Sequence, residues 1–138
     1  MAKRPTKLDV SVAEVVDYMR ITDDFAPALA AVLERKVTVA AAKQAGLRVT
    51  AAERQAAADD YRAARGLQRA RDTDRWLRSI GITLATFEQY VTANLLIAKF
   101  KKSLYEKAEK QVMMSSQELE EAATEMAYRE WLKKALKA

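Results

Sequence analysis

Two glycine–threonine links constrain the fold of this chain more than any other feature. In the first, Gly46 is followed by Thr50 and Glu53, and in the second Gly81 is followed by Thr83. Glycine takes the left-handed conformation just past a helix end because it has no Cβ to clash, and threonine caps the next helix. Glu53 completes a capping box with Thr50, whereas no Glu stands in that position after Thr83. These links predict at least three helices joined by short connections.

Composition favours long helices that pack closely. The chain has 138 residues, of which 50% are hydrophobic and 7% aromatic, with only three glycines and two prolines. Alanine-rich helices with few turn residues pack through small side chains, and a chain of this length forms one modest core. No run approaches the ~20 apolar residues of a membrane span, and no apolar run follows the basic start. We therefore expect no membrane insertion and a cytoplasmic location.

The first two helices are indicated by their caps and apolar spacing. Ser11 and Glu14 form a capping box for a short helix. Asp23 or Asp24 caps the second helix, which ends at Gly46. Residues at steps of three and four predict the apolar faces of both helices: Val12, Val15, Val16 and Met19 on the first, and Phe25, Leu29, Val32, Leu33, Val37 and Ala40 on the second.

The third and fourth helices are shorter. The third is predicted over about residues 51–65, with a face of alanines and Tyr61 that lets a neighbour approach closely. Thr73 or Asp74 is predicted to start the fourth helix, whose apolar residues are Trp76, Leu77 and Ile80.

The longest helix begins after Thr83 and is predicted to continue to about Gln111, because nothing in that stretch breaks it. Ser115 with Glu118 forms a capping box for a final helix through Ala135. The predicted buried side of this final helix consists of Leu119, Ala122, Ala123, Met126, Trp131, Leu132 and Leu136.

No segment alternates in the manner of a strand. The sequence therefore predicts an all-α fold: a single compact domain of five to six helices, with one long helix and a returning C-terminal helix. This domain is expected to cover residues 11–138, after a basic, flexible N-terminus at residues 1–10.

The absence of cysteine and histidine removes most catalytic and metal chemistries. Thiol nucleophiles, Ser-His-Asp triads and zinc sites of the His/Cys type cannot form. Clustered carboxylates remain, but each cluster lies among arginines or lysines, which favours a solvated face. These clusters are Asp59 with Asp60, Asp72 with Asp74, and Glu118 with Glu121 and Glu125. We expect neither an enzyme nor a bound cofactor or metal.

The segments 45–53 and 81–90 resemble the SurA-like N-terminal chaperone domain of parvulin-type peptidyl-prolyl isomerases. They read Ala-Gly-Leu-Arg-Val-Thr-Ala-Ala-Glu and Gly-Ile-Thr-Leu-Ala-Thr-Phe before a long helix with Leu95, Leu96 and Phe100. The likeness also includes the Trp76-Leu77 segment, covers most of the chain from about Val12, and places the returning helix at residues 115–135. The parvulin domain is absent, and its active site relies on histidines, so the resemblance implies polypeptide binding without isomerase activity.

A protein that holds an extended or unfolded polypeptide needs accessible aromatic and methionine side chains, which adapt to varied partners. The candidates are Met19, Phe25, Tyr61, Tyr90, Phe100, Met113, Met114 and Met126. Trp76 and Phe87 fit a core role better. A related alternative is an accessory protein dedicated to one precursor peptide or one enzyme of a peptide-maturation pathway.

Charge suggests a second alternative, a basic helical nucleic-acid-binding protein. The net charge is +5, and basic residues crowd three regions that could track phosphates: Arg62, Arg65, Arg69, Arg71, Arg75 and Arg78; Lys99, Lys101, Lys102, Lys107 and Lys110; and Lys133, Lys134 and Lys137. Acidic residues at helical neighbour spacing favour mutually screened faces instead. An acidic polypeptide would use the same cations.

A homodimer formed by exchange of the final helix is a further possibility. The long helix and the short link at Met114 make such an exchange geometrically feasible. Met126, Trp131 and Leu132 would then be buried in the neighbouring copy.

Overall fold

The computed structural model describes residues 9–109 and 117–137, which contain six α-helices and no strand. The helices are α1 (Val12–Ile21), α2 (Phe25–Gln44), α3 (Ala51–Ala64), α4 (Ala70–Ile80), α5 (Leu84–Glu109) and α6 (Gln117–Lys137). The predicted all-α class is confirmed, with α5 as the long helix and α6 returning onto it. Contacts divide the chain into two compact units, Met1–Glu34 and Arg35–Ala138.

The predicted caps begin three of the helices. The Thr50 amide donates to Glu53 Oε1 at 2.9 Å and the Glu53 amide donates to Thr50 Oγ1 at 3.1 Å, so this capping box is complete. The box of Ser11 with Glu14 is also complete, and Thr83 Oγ1 accepts from an amide in the first turn of α5. Each cap satisfies amides that would otherwise lack a partner at a helix start.

The predicted glycine ends are also confirmed. Gly46 has a φ of +80° and Gly81 a φ of +69°, the left-handed conformation that side chains with a Cβ rarely adopt. The following amide, of Leu47 or of Ile82, donates at 3.0 Å to the carbonyl five residues earlier. This is the hydrogen bond of a Schellman motif, which closes the last turn of α2 and of α4.

Lys99 on α5 connects the first link to the long helix. Its Nζ lies 2.7 Å from Glu53 Oε2 and donates to the Arg48 carbonyl at 2.6 Å. The hydrogen bond from Lys99, followed by that from the Thr50 amide, lowers the pKa of Glu53 from 4.5 to about 2. The ionised carboxylate therefore serves both as a helix cap and as the partner of Lys99.

This lowered pKa predicts how stability depends on pH. Because the pKa of Glu53 is lower in the folded than in the unfolded state, its stabilisation is complete above about pH 4.5 and lost as pH falls towards 2. In thermal unfolding followed by circular dichroism, we expect the Tm of Glu53→Gln to fall less steeply than the Tm of the wild type as the pH is lowered from 4.5 towards 2. Glu130→Gln, on an exposed part of α6, should keep the wild-type profile. Identical profiles for Glu53→Gln and wild type would contradict the assignment.

The start of α4 differs from its prediction. The helix begins at Ala70, and Arg69 at the cap position makes no side-chain hydrogen bond. Thr73, predicted as a possible cap together with Asp74, instead lies within the helix, where it is buried and donates through Oγ1 to the Leu67 carbonyl at 2.9 Å. Its hydroxyl therefore hydrogen-bonds a carbonyl of the loop before α4 and does not cap the amides at the start of the helix.

One buried cluster joins α3, α4 and α5. It consists of Ala58, Leu77, Phe87 and Val91, with Ala57, Tyr61, Trp76 and Leu95 packed against it. The small side chain at position 58 allows α3 to lie close to α5, as the alanine face of α3 predicts. The expected core role of Phe87 is confirmed, because its side chain is buried, whereas Trp76, for which the same role is expected, is only partly buried.

A second buried cluster joins α2, α5 and α6. It consists of Ala42, Leu96 and Phe100, and the Trp131 ring packs edge-on against Phe100 with centroids 4.8 Å apart. This burial corrects the prediction of Phe100 as a polypeptide contact. The ring is enclosed because its position on α5 faces both α2 and α6, so it belongs to the core.

The buried side of α2 also differs from its prediction. Thr38 and Ala42 are fully buried, whereas Ala40 is exposed. The larger Leu29, Val32 and Leu33, which the sequence spacing places on the same buried face as Ala40, are exposed as well. In the second unit, α2 packs through Ala42 with Val39 and Ala41 beside it, and the Thr38 hydroxyl hydrogen-bonds the Tyr128 hydroxyl of α6 at 2.9 Å.

The final helix buries fewer residues than predicted. Leu132 and Tyr128 are buried and Trp131 is partly buried, and they pack within the same chain. The predicted Leu119, Met126 and Leu136 are exposed, because they lie outside the narrow stripe that faces α5 and α2. The predicted Ser115 cap, Met113 and Met114 lie outside the described residues.

The first unit contains α1 and the first part of α2. They are joined at Asp23, which has a φ of 64°, and Thr22 Oγ1 donates to Asp24 Oδ2 at 2.7 Å. The Arg20 guanidinium lies 4.7 Å from the centroid of the Phe25 ring. The apolar face predicted for α1 is not buried, since no residue of this helix is.

Candidate polypeptide-binding site

Four aromatic rings from three helices meet in the second unit. Tyr61 of α3 lies at their centre, with its ring centroid 6.0 Å from Trp76, 5.4 Å from Phe87 and 6.2 Å from Tyr90. Phe87 is buried in the cluster against which Tyr61 and Trp76 pack. Tyr61 and Trp76 are partly buried, and Tyr90 is 44% exposed. The rings therefore provide apolar area that a partner can reach.

Two arginines cover this aromatic group. The Arg65 guanidinium lies 4.6 Å from the Tyr61 centroid and 5.7 Å from that of Trp76, and the Arg35 guanidinium lies 4.6 Å from that of Tyr90. Cations over ring faces at this distance are attracted by the ring quadrupole. We name the set Arg35, Tyr61, Arg65, Trp76 and Tyr90 the arginine–aromatic surface.

Local sequence explains part of this arrangement. Tyr61 and Arg65, the C-terminal cap residue of α3, are four residues apart, which places them on one side of the helix. Tyr90 and Asn94 have the same spacing on α5, and Asn94 Oδ1 accepts from Arg35 Nη1 at 2.6 Å. Arg35 Nη2 also donates to the Tyr90 carbonyl at 3.4 Å, so the guanidinium is held by two contacts beside the ring.

The charges around the surface are mostly positive. Arg62 pairs with Asp59, and Arg78 pairs with Asp74 at 2.7 Å. The Arg62 guanidinium, followed by the Gln55 amide, lowers the pKa of Asp59. Among the residues the structure describes, four further arginines have no carboxylate at ion-pair distance: Arg65, Arg69, Arg71 and Arg75. An acidic ligand would therefore meet cations that are not already neutralised.

A groove of about 600 Å³ runs beside α5 and is lined by both charged and apolar residues. Its lining residues come from α2, α3 and α5: Val39, Lys43, Arg54, Ala85, Glu88, Gln89, Thr92, Ala93 and Leu96. A smaller cavity of about 290 Å³ shares Arg54 and Glu88 with it. Both are lined by charged and apolar groups together, which suits peptide side chains better than a wholly apolar ligand.

Among the predicted contact residues that the structure describes, only Tyr61 and Tyr90 lie together. Met19 and Phe25 lie in the first unit, and Met126 lies on α6, which contributes no residue to the arginine–aromatic surface. Sequence reasoning singled out neither Arg35 nor Arg65 as a ring contact. The spacing of Tyr61 and Arg65 is a signal that could have found the second, whereas Arg35 reaches Tyr90 only through the packing of α2 on α5.

One carboxylate of each predicted cluster forms a described ion pair. Asp59 and Asp74 each pair with an arginine, and Glu125 pairs with Lys101 at 3.4 Å and with Arg129 at 3.0 Å. Within residues 9–109 and 117–137, no group of three or more acidic side chains is placed to hold a metal ion. The same residues contain no helix long and apolar enough to cross a membrane.

Comparison of the chain with protein-family models, with curated proteins and with solved structures finds no match. The function proposed for the protein therefore depends on the described residues themselves, and above all on the arginine–aromatic surface.

Proposed function

We propose that the protein is a non-enzymatic polypeptide-binding protein that holds an extended or unfolded segment against the arginine–aromatic surface. The observation that carries this proposal is the contact of Tyr61, Trp76 and Tyr90 in one accessible group, with a guanidinium over the rings at each end. Such a group offers apolar area and fixed positive charge within a short distance, which a folded core does not require on its outside.

This chemistry favours segments that combine aromatic or apolar side chains with carboxylates. A ligand's apolar side chains would contact the edges of the tyrosine and tryptophan rings, while its carboxylates pair with Arg35 and Arg65. The ligands would be either many unfolded chains, as expected of a SurA-like chaperone domain, or one precursor peptide or partner enzyme of a peptide-maturation pathway. Acidic precursor segments suit the second case.

The nucleic-acid alternative is less well supported by the same residues. Single-stranded nucleic acids bind to aromatic residues mainly by stacking bases on open ring faces. Here a guanidinium lies over one face of Tyr90 and of Tyr61, so these faces are already in use. A base that stacked on these faces would have to displace the guanidinium groups, whereas carboxylates and apolar side chains can contact the group as it stands.

A fluorescence titration tests the proposal. In a Trp131→Phe background, Trp76 is the single tryptophan and reports on the surface directly. We expect a synthetic peptide rich in aspartate and phenylalanine to change Trp76 emission saturably. The double variant Arg35→Gln/Arg65→Gln should weaken its binding by about tenfold or more, because charge-assisted hydrogen bonds are lost. A peptide with lysine in place of aspartate should bind poorly.

Lys133→Gln/Lys134→Gln is the matched control, since it removes two exposed charges from α6 without touching the surface. An equal loss of affinity in this control would show that net charge alone governs binding and would overturn the proposal. Preferential binding of a single-stranded oligonucleotide, with a steep salt dependence, would favour the nucleic-acid alternative instead.

A further inference from the structure

The smaller cavity, of about 290 Å³, lies between α3, α4 and the start of α5. Arg54, Ala58 and Arg62 line it at steps of four residues, which places them on one side of α3 with a small, buried alanine between the two arginines. The facing residues of α4 and α5 are Thr73, Leu84, Phe87 and Glu88. This volume is at the lower end of the ~300–1,000 Å³ typical of small-molecule sites, so the cavity suits a ligand smaller than a drug.

Two charges of opposite sign line this cavity without a partner in the chain. Arg54 and Glu88 are both partly buried. Within residues 9–109 and 117–137, neither side chain has a hydrogen bond or an ion pair, and the two do not pair with each other. A charge that burial separates from water is stabilised by an opposite charge. Each of these side chains is therefore available to a ligand group of the opposite sign.

Arg62 adds a hydrogen-bond donor that the chain leaves unused. Its Nη2 pairs with Asp59. Its Nε is buried and, unlike the other buried side-chain polar atoms of the described residues, has no hydrogen-bond partner. Buried N–H groups in native proteins are nearly always hydrogen-bonded, because the bond to water that burial removes is costly to lose. An acceptor held over Ala58 would meet this donor on one side and Arg54 on the other.

The same groups disfavour simpler ligands. A lone anion such as phosphate would place negative charge beside Glu88, and a metal cation would face the guanidinium groups of Arg54 and Arg62. A wholly apolar ligand would remove water from Arg54 and Glu88 and give them nothing in return. The wall between the charges is nevertheless apolar, since Ala58 and Phe87 are buried there and Leu84 is 56% exposed.

We propose that this cavity binds a free α-amino acid with an apolar side chain, in its zwitterionic form. The carboxylate accepts hydrogen bonds from Arg54 and from Arg62 Nε, the ammonium group donates to Glu88, and the side chain packs on Leu84 and Phe87. The inference goes beyond the proposed function, because no residue of the arginine–aromatic surface lines this cavity.

Isothermal titration calorimetry of the full chain with leucine at pH 7 tests the inference. Three analogues each remove one group: leucine amide lacks the carboxylate, 4-methylpentanoate lacks the ammonium group, and glycine lacks the side chain. We expect leucine to bind saturably and each analogue to bind at least about tenfold more weakly, because one of its contacts is lost.

Variants locate the binding. Arg54→Gln and Glu88→Gln should each weaken leucine binding by about tenfold or more, since each removes the charge that faces one end of the zwitterion. Arg71→Gln on α4 and Glu120→Gln on α6 are the matched controls, because these exposed side chains do not line the cavity. All four variants should bind the aspartate–phenylalanine peptide as wild type does, so failure of this inference can be told from failure of the proposed function.

Several results would overturn the inference. One is the absence of saturable leucine binding below about 10 mM, which would leave Arg62 Nε to solvent. Another is wild-type affinity for leucine in Arg54→Gln or Glu88→Gln, provided circular dichroism shows the variant folded. Equal affinity for 4-methylpentanoate, or tighter binding of inorganic phosphate, would make the cavity an anion site. Equal affinity for N-acetyl-leucine would assign it to the C-terminal residue of a polypeptide rather than to a free amino acid.

Discussion

Replacing Phe100 by alanine is expected to lower the free energy of unfolding by about 3–5 kcal/mol. The ring is 6% exposed, lies against Ala42 and Leu96, and contacts the Trp131 ring edge-on at 4.8 Å. Truncation removes apolar contacts and leaves a cavity between α2, α5 and α6. These helices cannot fully close it, because each is held by its other contacts. Urea denaturation followed by circular dichroism measures the change.

The same variant separates a core role from a binding role for Phe100. Phe100→Leu retains most of the apolar volume, so we expect a smaller loss of stability than for Phe100→Ala. At low temperature and without denaturant, the folded fraction of Phe100→Ala should bind the aspartate–phenylalanine peptide with wild-type affinity. If Phe100→Ala instead lost affinity for the peptide while keeping nearly wild-type stability, Phe100 would be a polypeptide contact and not a core residue.

Replacing Ala42 by leucine is expected to destabilise the protein by about 1–3 kcal/mol. Ala42 of α2 is fully buried against the Leu96 and Phe100 side chains of α5, so three more carbon atoms would have to displace these neighbours. Ala40→Leu is the matched control, because it makes the same change on the exposed side of the same helix. This control should have nearly the wild-type midpoint in urea.

These two alanines also distinguish the two assignments of the buried side of α2. The apolar spacing of the sequence places Ala40 inside, whereas the structure places Ala42 inside. A larger loss for Ala40→Leu than for Ala42→Leu would support the assignment made from sequence spacing and contradict the structure. Both variants retain alanine-like helix propensity, so a difference between them reports packing rather than helix formation.

The sequence predicts the helix boundaries well because their causes are local. The capping box of Thr50 with Glu53 involves residues three apart, and the glycine at position 81 acts through its own backbone conformation. The start of α4 could not be predicted in this way. Thr73 has the residue type of a cap, but its hydroxyl binds a loop carbonyl six residues earlier, and nothing in the local sequence distinguishes these uses.

The buried faces were harder to predict because they depend on contacts distant in sequence. Alanine and threonine occur on both the buried and the exposed side of helices, so the leucines and valines of α2 predict its buried face instead. The structure uses Thr38, whose hydrogen-bond partner Tyr128 is 90 residues away. The candidate site shows the same division: Tyr61 and Tyr90 were found by residue type, but the position of Arg35 follows from helix packing.

The uninterrupted run of α5 gives this stretch of the chain an unusual sensitivity to length. Phe87 and Val91 belong to one buried cluster and Leu96 and Phe100 to the other, and all four lie on a single helix of 26 residues. Each residue turns an α-helix by about 100°. One residue inserted between Val91 and Leu96 would thus rotate the second pair away from α2 and α6 while the first pair stayed in place. Homologous chains that share this core should vary in length at the links between helices and keep a constant length between these two positions.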